Sequence, residues 1–191
     1  MTHAAATHSG SALCRCVAIL AALSLAPADA KAAQEAQVFP RVRTDSAIIG
    51  TAIAEGTDRS ETFRRLVNEI GASDGLVYVE EGECGHSVNA CLLMLVTIAG
   101  PSRVLHIRAN PRKAPDCELV ELIGHELRHA VEALREPRVQ SSSQIYHFFS
   151  RIGPTGLGRF ETAEAVNAGL DVAHEACRKR PPGTGNGRRT P

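Results

Sequence analysis

Two histidines and a glutamate stand together in His125-Glu126-Leu127-Arg128-His129. Residues four apart share one face of an α-helix, about one turn from each other. At that spacing both imidazoles can reach one metal ion, and Glu126 lies on the rim of the same face, where it can poise a water. The chemistry implied is zinc-assisted hydrolysis, with the metal as Lewis acid and Glu126 as general base. A catalytic zinc takes three protein ligands and keeps one open position, so a third ligand must come from elsewhere. No H-x-x-G-x-x-H pattern follows His129, which excludes the metzincin arrangement. His147 and His174 are the histidine options. Glu161 and Glu164, in Gly158-Arg159-Phe160-Glu161-Thr162-Ala163-Glu164-Ala165, are the stronger candidates as downstream carboxylates. Spacing does not choose between these two, and helical facing puts Glu164 nearer the apolar stripe of its helix. Tyr146 and His147 are the side-chain donors available to stabilise an oxyanion.

The elements that must position these groups can be read around them. The motif helix opens at Asp116 and stops before Pro137. Its residues Leu119, Val120, Ile123, Leu127, Ala130, Val131 and Leu134 form one apolar stripe, and the histidines lie about 140–180° around the axis from it. One face should therefore meet a core while the opposite face presents the imidazoles. Upstream, Ser60 reads as the N-cap of a helix whose Phe63, Leu66, Val67 and Ile70 recur at helical spacing, ended by Gly71 and Ser73-Asp74-Gly75. Leu76–Val79, Cys91–Ile98 and Val104–Ile107 read as three short strands in succession, which predicts a small antiparallel sheet of about three strands. Val104–Ile107 is the strand expected to offer substrate an edge. A short helix over Gln144–Ile152 carries Tyr146, Phe148 and Phe149. A last helix from about Phe160 to Cys177 should bury Phe160, Ala163, Val166, Leu170, Ala173 and Cys177. The order of elements predicts an α+β domain, a small sheet covered by helices.

The 191-residue chain suits one domain. Its 21 basic and 21 acidic residues give no net charge, which argues against nucleic acid and acidic membrane surfaces as partners. Arg15, the apolar run 16–26 and Ala28-Asp29-Ala30 have the layout of a signal peptide over residues 1–30, cut after Ala30. The mature chain is then secreted or periplasmic, with no segment long and apolar enough to hold it in a membrane. Cys14 and Cys16 leave with the signal. Cys84, Cys91, Cys117 and Cys177 remain in an oxidising compartment, an even number that suggests two disulfides. Three pairings are open. Cys84–Cys91 is the most local, and Cys117–Cys177 would then tie two helices together. Residues 31–56 read as a loosely held arm, 57–177 as the folded domain, and 178–191, rich in Arg, Gly and Pro, as a disordered basic tail.

Three segments carry a resemblance: Ser73-Asp74-Gly75-Leu76-Val77-Tyr78-Val79, Gly124-His125-Glu126-Leu127-Arg128-His129-Ala130, and the F-E-T-x-x-A-x-x-A-G run from Phe160 to Gly169. Together they resemble a family of small exported bacterial zincin-like HExxH metallopeptidases, over most of the chain from Ser60 to Cys177. The HExxH piece is common to all zincins, whereas the F-E-T piece is more specific. The resemblance implies a minimal zincin-like domain, a zinc held by His125, His129 and Glu161 in the gluzincin manner, and a peptide or protein substrate. It favours Glu161 over Glu164. Arg128 departs from zincin patterns, which prefer an uncharged residue there. A zinc-holding or partner-binding module without turnover is the alternative that the same residues allow.

Overall fold

The structure, a computed structural model, describes residues 41–177 apart from 86, 115, 154, 157 and 158. The expected signal peptide, the first part of the arm and the basic tail lie outside the described residues. Helix α1 spans Ala47–Arg59 and α2 spans Glu61–Gly71. Ser60 joins them and serves both. Its backbone N–H donates to Gly56 at the end of α1, and its hydroxyl accepts from Phe63 N at 3.0 Å to cap α2. Residues 41–56, expected in a loose arm, are instead part of the folded unit, because Val42, Ile49, Ala52 and Ile53 are buried in the core.

The sheet contains β1 (Val42–Arg43), β2 (Gly75–Glu81), β3 (Ala90–Ala99) and β4 (Ser102–Ala109) in the order β1-β2-β4-β3. The pairs β1–β2 and β2–β4 are parallel, and only β3–β4 is antiparallel. The sheet is therefore mixed and four-stranded, not an antiparallel set of three. The turn at Gly100, with φ +59°, closes a β3–β4 hairpin that enters the sheet with β4 innermost. This placement makes Val104–Ile107 an interior strand, with no edge to offer, and leaves β3 at the rim. Its register to β4 also jumps, from Leu92 opposite Ile107 to Val96 opposite Leu105. Three residues on β3 thus face one on β4, a bulge of two extra residues.

Helix α3 (Cys117–Arg135) crosses the domain with all seven residues of its expected apolar stripe buried. Val77, Val79, Leu105 and Ile107 supply the sheet's side of the same core. Arg103, 5% exposed, anchors the helix's end: its guanidinium donates to the carbonyls of Ala133, Leu134, Glu136 and Val139 and to the Asp74 carboxylate. Ala133 and Leu134 are in the last turn, where a helix leaves carbonyls without intrahelical partners, and Glu136 and Val139 lie in the turn that follows. Helix α4 covers Ser142–Ile152, and β5 (Thr155–Gly156) pairs with β6 (Arg159–Phe160) as a short antiparallel ribbon.

Helix α5 begins at Ala163 and runs to Ala176, because the Thr162 hydroxyl accepts from Ala165 N and caps it there. Its buried residues are Ala165, Ala168, Gly169, Val172 and Ala176, while Val166 and Leu170 are 42% and 59% exposed. The stripe expected from the larger residues is thus wrong: α5 meets α3 through its small ones. A Cβ on Gly124 would lie 2.8 Å from Val172 Cγ2, and one on Gly169 would lie 3.3 Å from His125 Cβ. The absence of side chains at both positions lets the helices approach this closely. Both expected disulfides are present, Cys84–Cys91 and Cys117–Cys177. Among the described residues no helix is long and apolar enough to cross a membrane.

Candidate metal centre

Helix α3 brings His125, Glu126 and His129 to one cleft. The histidine side of the helix is not open to solvent as its sequence suggests. His129 is 4% exposed and Glu126 7%, and α5 packs against His125. The imidazoles of His125 and His129 stand edge to face with centroids 4.9 Å apart, and Phe149 of α4 closes on His129 at 5.3 Å. Glu161 arrives from outside any helix, between β6 and the cap residue Thr162. Gly153, just after α4, allows this: a Cβ there would sit 2.9 Å from the Glu161 carbonyl oxygen.

The Glu161 side chain is 47% exposed, yet its Oε2 is buried with no hydrogen-bond partner, 3.2 Å from His125 Nε2. At that distance His125 is its ion-pair partner, and the contact raises the His125 pKa against the effect of burial. One ligand atom each from His125, His129 and Glu161 lies within 4.8 Å of the others. Tetrahedral zinc with ligand distances near 2.0–2.1 Å spaces its ligands about 3.3 Å apart, so a small inward movement completes the set. Two imidazoles and one carboxylate are also a donor set that zinc accepts. The residues therefore fit a metal ion, and the group is His, His and Glu161.

Behind these ligands lies a relay that the sequence reading missed. Glu132, 8% exposed, receives His129 Nδ1 at 3.0 Å on Oε2 and the Thr162 hydroxyl at 2.8 Å on Oε1. It fixes the imidazole tautomer that leaves Nε2 free for a metal, as outer carboxylates do in metal sites. It also links the HExxH helix to the residue next to Glu161. The signal was available: Glu132 is three residues from His129 on the same helix face. Leu92 N of β3 donates to Glu126 Oε2 at 2.6 Å, so the general-base candidate is held by the edge strand.

Burial sets the electrostatics. It pushes the Glu126 carboxyl up to about 7, with the positive His129 and the Leu92 N–H acting in the other direction. Burial and the neighbouring His129 charge lower His125. Burial also disfavours protonated His129, but the Glu132 hydrogen bond and the surrounding carboxylates outweigh it and raise its pKa. Glu132 is lowered, since its bonds from His129 and Thr162 outweigh its own desolvation.

The other candidates do not join the group. Glu164 is exposed in the first turn of α5, and His174 stands in its last turn. His147 is exposed on α4. Tyr146 is 51% exposed, its ring 5.2 Å from that of Phe160, which places it outside the cleft wall rather than at the imidazoles. Arg128 points toward Glu132, Nε to Oε1 3.5 Å. Comparison with protein-family models, curated proteins and solved structures finds no match to this chain.

Proposed function

We propose that this chain is an exported zinc-dependent peptidase whose metal is held by His125, His129 and Glu161. The observation that carries the reading is the convergence of His125, His129 and Glu161, one ligand atom of each lying within 4.8 Å of the others. The zincin-like resemblance of its motifs and the two disulfides support it. Zinc, when bound, supplies a Lewis acid and lowers the pKa of its water toward neutrality. Glu126 takes the proton from the attacking water and delivers it to the leaving amine. The Leu92 N–H holds Oε2 of this carboxylate in place. Glu132 and Thr162 hold His129 in place, and Phe149 shields it from solvent.

One observation favours a second reading, a zinc-holding module without turnover: the Glu126 carboxylate is already engaged by the β3 backbone. Glu126→Gln separates the two. The peptidase reading expects wild-type protein to bind one zinc and cleave unstructured peptides, and the variant to keep the zinc and lose cleavage. Wild-type protein that takes up no zinc sinks both readings. Zinc-loaded wild-type protein that cleaves no peptide from a broad library sinks the first.

A further inference from the structure

We infer that the β3 bulge builds an apolar subsite, with Met94 as its selecting residue, which takes one large aliphatic or aromatic side chain of the substrate beside the scissile bond; this rests on the peptidase reading above. The cleft at the metal centre has a volume of about 200 Å³. Its polar end is formed by Glu126, His129 and Glu161. Beyond them the wall is apolar, and each side of it has a structural origin.

The first side is the bulge. An unbroken register would give β3 one residue between Leu92 and Val96, but it has three. Leu93 and Met94, both partly buried, are thereby turned into the cleft. Phe149 and Phe160 face them from α4 and β6. The third side is the Cys84–Cys91 disulfide. It is held from behind, because Glu83 accepts from Asn110 Nδ2 and Lys113 Nζ, both at 2.7 Å. Among the described residues no Lys or Arg lines the cleft, so an acidic side chain laid against the apolar wall would find no side-chain counter-charge there. A cavity of about 150 Å³ is enough for benzene. The cleft, its polar end included, is therefore large enough for one isobutyl or benzyl group. β3 is also the rim strand of the sheet, and a peptide backbone laid along it beyond Leu92 would put one side chain into the bulge while its carbonyl meets the metal end.

The test uses zinc-loaded protein and the hydroxamates of glycine, leucine and phenylalanine, with affinities read by calorimetry. Pocket discrimination of about 10-fold or more per apolar group predicts that the leucine and phenylalanine compounds bind at least tenfold tighter than the glycine compound. Met94→Trp should crowd the apolar wall and shrink that gap to within about threefold. Met94→Ala, which only removes atoms, should raise the preference for phenylalanine over leucine. Equal affinities in the wild type, or a gap untouched in both variants, overturn the subsite and leave the metal reading standing. Failure to load zinc at all overturns the metal reading and the subsite with it.

Discussion

Glu126→Gln should stabilise the metal-free protein near neutral pH. In the folded chain the Glu126 carboxyl is raised from 4.5 to about 7, chiefly by burial. In the unfolded chain it titrates at its ordinary value. Below 4.5 both states carry the proton and the group is neutral toward folding. Between 4.5 and 7 the unfolded chain releases the proton first, so stability falls as pH rises. Above 7 the full cost is present. Each pKa unit is worth about 1.4 kcal/mol, so the rise from 4.5 to about 7 amounts to roughly 3 kcal/mol. Glutamine has nearly the same shape, can still accept from Leu92 N and carries no charge. The assay is urea unfolding of chelator-treated protein at pH 5 and pH 8, wild type against variant. The two should differ little at pH 5, and the variant should be more stable by about 2–3 kcal/mol at pH 8. Parallel pH profiles for the two proteins would refute the claim that burial of this carboxyl is uncompensated without metal.

Glu161→Ala should abolish tight zinc binding while Glu164→Ala leaves it unchanged; a metal titration giving the reverse order would reassign the third ligand. Glu132→Ala should weaken zinc affinity about 10–100-fold without removing any atom that touches the metal, and an affinity unchanged within about twofold would show that the relay to His129 does not matter. Arg103→Met should destabilise the fold by on the order of 3 kcal/mol, since it strands carbonyls at the end of α3, as measured by thermal or urea unfolding. Acid should also weaken the wild type, because the Arg103 hydrogen bond lowers Asp74 below 3.8; the contribution is present above that value and is lost as pH falls below it.

What could be read beforehand was mostly what is local. Ser60 capped its helix as expected, and the seven apolar residues of α3 all reached the core, because capping and periodicity depend on near neighbours in the chain. Strand positions were also local, but pairing was not. Nothing in Val104–Ile107 says that it lies between β2 and β3, and the two-residue strand Val42–Arg43 is too short to show any alternation. The α5 stripe misled for another reason. Weighting Val166 and Leu170 by hydrophobicity overlooked Gly169 and the alanines, whose small size lets two helices touch. In the candidate metal group, His125 and His129 were legible from spacing, and Glu161 rested on the resemblance. Helical facing favoured Glu164 only while Glu161 was assumed to lie inside the helix, and it lies before Thr162. Glu132 and the Leu92 N–H required knowing which surfaces the helix meets.

The Cys117–Cys177 bridge has one more consequence. It closes residues 117–177 into a covalent ring that contains His125, His129, Glu132 and Glu161 together. A protease, or a second copy of this chain acting as one, that cuts once between those cysteines releases no fragment. All the ligands stay on one molecule, with helix α3 and helix α5 still tethered at their joined ends. A single nick would then appear on a reducing gel and disappear on a non-reducing one. On the exported reading proposed above, the ring would keep the two halves of a once-cut chain joined among other proteases.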